Sequence, residues 1–365
     1  MDDKIFWAAL RALPEIGSGQ LRKLMEYFST GEAVWRSSAA ELQHSHCLEQ
    51  AGYASLLALR PEKFPAIEAL ARGWEKQGID VCIIGDENYP EILRHIYNPP
   101  ALLFYRGTLR ATVSRIAIVG SRRFSAYGRS AAEKLGSELA ERGITVVSGA
   151  ARGIDTAAHQ GALRTGRTVA VLGCGVDVAY PAENRHLLAA IAEAGAVISE
   201  YAPGTAPLPG FFPARNRIIS GLARGTVVVE AAARSGSLIT AELALNEGRD
   251  VFAVPGSIYS PQSAGCHHLI QQGAKLVSGV GDILEEYNWK NDGRIPENKL
   301  ILSKDEAVVY AALSPDVPLS IDEIICKLRS DVSNITFILL QLELRGLVKE
   351  YAPHSYIQAV KEDIL

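Results

Sequence analysis

Between residues 115 and 256 the chain repeats one rhythm. Runs of β-branched and small apolar residues ("RIAIVG", "ITVVSG", "TVAVLG", "AVISEY", "TVVVEA", "DVFAVPG") alternate with longer segments rich in Ala, Leu, Glu and Arg. Strands apolar throughout are buried on both faces, and strands alternating with helices build a parallel sheet. The pattern predicts a doubly wound, Rossmann-like α/β domain over residues 79–287, with six or more strands. "VCIIG" and "ALLFYRG", just ahead of the first run, are expected to add to that sheet or lead into it.

The flanks have a different texture. "IFWAALRAL" and "SGQLRKLMEYF", punctuated by Pro14, Gly17 and Gly19, open a helical domain over residues 1–75. "LPEIGSGQLRKLM" looks like a helix-hairpin-helix turn, yet Ser18 replaces the usual apolar residue between its glycines, which favours a structural role. After a polar linker at 288–299, residues 300–360 read as three helices and a small hairpin, the order of a winged helix. Its expected recognition helix, "VSNITFILLQLELRG", offers only Arg345 as a cation. With Asp305, Glu306, Asp316, Asp322 and Glu323 nearby in sequence, protein docking or regulation is favoured over tight duplex binding.

Composition sharpens this. The 365 residues are 48% hydrophobic, with a net charge of −4, so a uniformly basic binder is excluded. Residues 106–167, however, hold ten Arg and one Lys against three Glu and one Asp, a net +7 that leaves −11 for the remainder. Such segregation can place a positive field over one face, although Arg129, Arg142 and Arg164 are assigned to solvated helix faces. Cys47, Cys82, Cys174, Cys266 and Cys326 have no paired spacing, which suits reduced thiols. No apolar run approaches the ~20 residues of a membrane span, and no signal-peptide pattern opens the chain. The expectation is a cytoplasmic protein without membrane contact.

Chemistry in an open parallel sheet collects beyond the carboxyl ends of the strands. Here those ends read "VGSRRFSAYG", "SGAARGID", "LGCGVDVAYP", "FFPARNRII" and "EAAARSGSLITA". Glycine allows close backbone approach, helix N-termini present free N–H groups, and arginine forks onto phosphate oxygens. One such turn is explained by sterics; several on one rim, three of them with arginines, suit a polyanion. Competing chemistries lack support. No GxxxxGK[ST] loop occurs, and "GCGVDV" has Val178 in place of the third glycine of a dinucleotide fingerprint. Asp155 and His159 are better read as a helix cap and a satisfied histidine than as an acid/base pair. Ser121, Ser148 and Ser237 have no evident His–Asp partners, and the eight histidines form no metal-ligand cluster. No cofactor or metal is expected. In "FFPARNRIISGLA", aromatics beside arginines are what a single strand asks for, with stacking for bases and charge for backbone. Phe211 is assigned to the core or a dimer contact, and Phe212 to stacking.

"GSRRFSAYG", "SGAARGIDTAAH", "LGCGVDVAYPAEN", "FPARNRII" and "SGSLITAELAL", in this order, resemble the DNA-processing protein A family (DprA, also called Smf). The resemblance covers residues 80–285, and the flanks agree with the SAM-like helical domain and the winged helix that members often carry. It implies a non-enzymatic protein that binds single-stranded DNA taken up in natural transformation, protects it, loads the RecA recombinase, and usually forms a homodimer. It also implies DNA contacts from Gly120, Ser121 and Arg122; from Ser148, Gly149, Arg152 and Gly153; from Phe212, Arg215, Asn216 and Arg217; and from Ser235, Gly236 and Ser237. Two departures stand out. "TAPLPGF" lacks the lysine common ahead of this motif, and Ala150 stands where leucine is usual. The rival class is a nucleoside-monophosphate phosphoribohydrolase-like enzyme, for which Glu230 or Glu242 would supply the carboxylate.

Overall fold

The computed structural model describes residues 2–59, 64–289, 303–328, 331–344 and 347–359. The chain divides into two compact units, the larger spanning Met1–Phe124 and Ala131–Trp289 and the smaller spanning Ser125–Ser130 and Lys290–Leu365.

The larger unit is built on a nine-stranded sheet. Its strands are β1 (Ile79–Ile83), β2 (Leu102–Gly107), β3 (Arg115–Val119), β4 (Thr145–Ser148), β5 (Thr168–Val171), β6 (Ala196–Ser199), β7 (Gly225–Val228), β8 (Asp250–Ala253) and β9 (Lys275–Leu276). Their order is β1-β2-β6-β5-β4-β3-β7-β8-β9. From β6 to β9 all pairings are parallel. β3, β4, β5, β6 and β7 are buried along their length, as their continuous apolar runs require. "VCIIG" and "ALLFYRG" do join the sheet, as an antiparallel pair on its edge: β2 runs against β6, and β1 against β2. The winding reverses between β3 and β7, which places a crevice beyond their carboxyl ends.

Among the described residues six helices precede the sheet: Asp3–Arg11, Ser18–Tyr27, Gly31–Arg36, Ala39–His44, Gln50–Leu59 and Phe64–Lys76. Asp3 ties the first to the third, accepting from Trp7 Nε1 (2.9 Å) and from the amides of Gly31 (3.0 Å) and Glu32 (3.2 Å). Their apolar faces share one buried cluster with the sheet, in which Phe6, Trp7, Leu10 and Leu24 join Val81, Leu102, Phe104 and Leu172. Trp74 meets Phe104 edge-on, with centroids 5.3 Å apart. Ser18 accepts from the Ala101 amide at 3.0 Å, so its hydroxyl ties helix to sheet.

The smaller unit is a winged helix. Helices Lys304–Ala312, Ile321–Leu328 and Val332–Leu344 enclose Val309, Ile324, Ile335, Leu339 and Leu342, with β10 (Leu319–Ser320), β11 (Val348–Ala352) and β12 (Ser355–Gln358) in the order β10-β12-β11. Ser303 and Glu306 form a capping box on the first helix (3.2 and 2.8 Å). Asp305, Asp316, Asp322 and Glu323 are not buried; Glu306 is. Arg345 and most of the 288–299 linker lie outside the described residues.

Candidate functional site

Beyond β3 and β7 lies a cleft of about 710 Å³. Its floor is made of two interlocked turns. A Cβ on Gly120 would strike Ile154 at 2.7 Å, and one on Gly153, whose φ is +88°, would run into the Ser121 carbonyl, so both positions require glycine. Ser121 is used inside the first turn: its amide donates to the Glu230 carbonyl (2.7 Å), and its hydroxyl accepts from the Arg123 amide and lies 3.1 Å from Gln262 Oε1. Arg122 and Arg123 follow on the surface, exposed, and no described carboxylate lies within 4.0 Å of either.

The wall opposite the turns is aromatic and polar. Helix Phe211–Gly221 presents Phe212 and Asn216 to the cleft. Phe212 pairs with Tyr180 at 5.2 Å, and Arg122 Cζ stands 5.9 Å from its ring centroid. Gly173 permits this approach, since a Cβ there would meet Phe212 at 3.1 Å. Phe211 turns the other way and stacks on buried Tyr201 at 4.1 Å, the packing role its sequence context favours. The last wall is the N-terminus of helix Gly236–Asn246, capped by Ser235, whose hydroxyl accepts from the Ser237 amide (3.4 Å). Such a terminus favours an anion.

Six residues expected to touch DNA do not line this cleft or do not face it freely, Gly153 among them because it is packed against the Ser121 carbonyl. Arg215 is 4% exposed, and its Nη1 donates to the Gly149 carbonyl (2.7 Å) and to the Val171 carbonyl. Instead of gripping a phosphate it braces the second turn from within, because burial surrounds it with main-chain acceptors. Ser148 and Gly149 belong to the same internal brace. The Ser148 hydroxyl donates to the Ile118 carbonyl (2.6 Å), and the Gly149 amide donates to Asp155 Oδ2 (3.2 Å). Arg217 forms a partly buried bidentate pair with Glu200 (3.0 and 2.8 Å), which spends its charge on a carboxylate. Arg152 is exposed but equally engaged, with Nε 2.5 Å and Nη2 2.6 Å from the two oxygens of Glu183. That guanidinium holds the Glu183 carboxyl below its ordinary range.

Asp155 and His159 are not an acid/base pair. Asp155 also accepts from the Ala151 amide (3.3 Å); burial raises its pKa, while Arg215 and these amides oppose the rise. His159 lies in the core with Nδ1 2.7 Å from Thr168 Oγ1, and burial, reinforced by Arg215, pushes its pKa down to about 3. It is a neutral packing residue. Neither Glu230, which is buried, nor exposed Glu242 lines the cleft. Among the described residues no group of His, Cys, Asp and Glu could hold a metal ion, and no helix is long and apolar enough to cross a membrane.

Residues 80–288 match the family model described as DNA recombination-mediator protein A, more than half of the chain, and residues 296–352 match the DprA winged helix domain. The chain belongs to the DNA recombination-mediator protein A family, DprA/Smf. It is 53% identical to DNA processing protein DprA of Streptococcus pneumoniae over 206 residues, 56% of this chain and 73% of that one. It is 38% identical to protein Smf of Escherichia coli K12 over 334 residues, 85% of this chain and 86% of that one. The X-ray structure of DprA from S. pneumoniae superimposes with a TM-score of 0.65 at 43% identity, covering 78% of this chain and 98% of that one. The DprA structure from Helicobacter pylori, described as showing a unique single-stranded DNA binding mode, gives 0.53 at 29% identity, covering 57% and 95%.

Sequence reasoning missed three cleft residues of this DprA/Smf chain. Tyr180 stands in the quoted "LGCGVDVAYP" and could have been found as an aromatic at a strand-end loop. Arg123 was hidden beside Arg122. Gln262 carries no local signal, since only the fold brings the loop after β8 to Ser121.

Proposed function

We propose that this DprA/Smf chain is a single-stranded DNA-binding protein that protects incoming DNA in natural transformation and recombination, loads the RecA recombinase onto it, and acts as a cytoplasmic homodimer. One observation carries the reading. Unpaired Arg122 sits against the Phe212–Tyr180 ring pair, beside a helix N-terminus, in a cleft where the buried carboxylate is held by backbone amides. Charge grips the backbone and rings stack on bases, which needs no bond to be broken. The H. pylori relative described as binding single-stranded DNA supports the same assignment. Site residues on this reading are Gly120, Arg122, Phe212, Asn216 and Ser235–Ser237 in contact with the strand. Ser121, Ser148, Gly149, Gly153 and Arg215 support it from below, and Arg152 is recruited once released from Glu183. The acidic winged helix serves protein docking rather than duplex recognition.

The test is salt-dependent binding to single-stranded and duplex oligonucleotides. Single strands bind far more tightly, and Arg122→Ala weakens them by about 1–2 kcal/mol. Normal binding by Arg122→Ala, or release of adenine from AMP by the pure protein, overturns the reading; the second result would favour the phosphoribohydrolase-like alternative.

A further inference from the structure

The cleft uses only part of the arginine-rich span at 106–167. Arg122 and Arg123 follow β3, and Arg152 follows β4, all at the carboxyl edge of the sheet. Arg106, Arg110, Arg115, Arg142 and Arg167 gather at the opposite, amino edge. Arg115 opens β3, Arg142 lies in the turn into β4, and Arg167 immediately precedes β5. Because β2 runs antiparallel, its last residues Arg106 and Gly107 pair with Val197 and Ala196 at the start of β6. Strands of four to five residues at ~3.3 Å each separate the two edges by roughly 13–17 Å. One phosphate cannot touch both.

The loop leaving β2 is fastened to this amino edge by two guanidiniums. Arg167 Nη2 donates to the Thr108 carbonyl at 2.9 Å, and Arg115 Nη2 donates to the Arg110 carbonyl. The Thr108 amide donates to the Gly195 carbonyl at 2.7 Å. So held, residues 107–113 wall a cleft of about 620 Å³ into which Tyr105 also faces, its hydroxyl already committed to Asp80 at 2.9 Å. The Arg110 side chain is exposed there. Among the described residues no carboxylate lies within 4.0 Å of Arg106, Arg110, Arg115 or Arg167, and Arg142 has only Glu141 at 4.0 Å. Burial lowers Arg115 to about 10 with Arg167 adding to the effect, and burial likewise lowers Arg167, with Arg110 adding to it.

Helix ends do not neutralise this charge. Helices Ala126–Glu141, Ile154–Thr165 and Arg185–Ala194 finish at this edge, and each carboxyl end carries about −0.5 charge, far short of five arginines. We infer that the amino edge of the sheet carries a second phosphate site, walled by residues 107–113 and charged by Arg110 and Arg167. It takes either the phosphate of a nucleic-acid strand or free inorganic phosphate.

Arg110→Glu tests this in the full-length chain, since that exposed side chain makes no hydrogen bond or ion pair among the described residues and only its carbonyl is used by Arg115. Oligothymidylates of about 8 and about 30 nucleotides, lengths within and well beyond a single-module footprint, are titrated across salt. A strand phosphate at the site leaves the short oligomer at wild-type affinity and weakens the long one about fivefold or more, with a salt slope reduced by roughly 0.7 to 1. Free phosphate at the site leaves both oligomers unchanged, while inorganic phosphate raises the melting temperature of the wild type and not of Arg110→Glu. If the variant matches the wild type in every arm, the second site does not exist. A wild type that binds no oligomer at all would sink the cleft reading instead and leave the phosphate arm to decide this one.

Discussion

Replacing Arg215 separates its structural role from the contact that its motif suggested. Arg215→Ala strips the Gly149 and Val171 carbonyls of their donor and leaves Asp155 without the guanidinium that opposes its burial. A buried acceptor left unmet costs about 1–3 kcal/mol, and removing one partner from a buried charge arrangement costs about 3–5. Protonation of Asp155, already favoured by burial, relieves part of that. The expected loss is therefore about 3–5 kcal/mol, a large share of the roughly 5–15 kcal/mol that holds a domain together. Urea unfolding followed by tryptophan fluorescence reports it through Trp74, which packs on the sheet at Phe104. Arg215→Lys restores charge without the fork and recovers part of the loss, and exposed Arg122→Ala leaves the midpoint unchanged. If Arg215→Ala unfolds within about 1 kcal/mol of wild type while losing DNA binding, Arg215 is a phosphate ligand and the bracing argument fails.

Three further outcomes follow from the same geometry. Glu183→Gln frees Arg152 and should tighten single-strand binding roughly two- to fivefold by anisotropy; an unchanged affinity would show that Arg152 never reaches the strand. Phe212→Ala should cost about 1–3 kcal/mol of binding and Tyr180→Ala less, with the double variant below their sum because the rings touch; strict additivity would break the pair into unrelated contacts. His159 is held neutral in the fold, at about 3 against an ordinary 6.5, so unfolded chains bind its proton first as pH falls. Stability is full above about 6.5 and declines toward pH 3, by about 2 kcal/mol at pH 5. A His159→Gln variant whose acid limb in a pH series of urea midpoints is as steep as the wild type's would remove this contribution.

The strands were legible because a sheet buried on both faces tolerates only apolar runs, and "TVAVLG" or "ITVVSG" can serve as little else. The edge pair was half legible: "ALLFYRG" has strand character, but its antiparallel direction depends on which neighbour is free, and that is a property of the assembled sheet. The site followed the same division. Glycines at 120 and 153 are demanded by contacts between turns near in the motif pattern, and the helix N-terminus at Ser235 announces itself by its cap. The arginines misled because residue type sets what a side chain can bind and only the fold sets what it meets. Arg215 meets carbonyls, Arg217 meets Glu200, Arg152 meets Glu183, and only Arg122 and Arg123 are left with open valence toward the cleft.

The helices that precede the sheet cannot be treated as a detachable module. Excising everything before Ile79 would uncover Val81, Leu102, Phe104 and Leu172 to water in one stroke. A trimmed fragment made for crystallography or interaction screening would then be sticky for reasons unrelated to its ligand. Any gain in self-association it showed would report the cut surface rather than the assembly state of the intact chain.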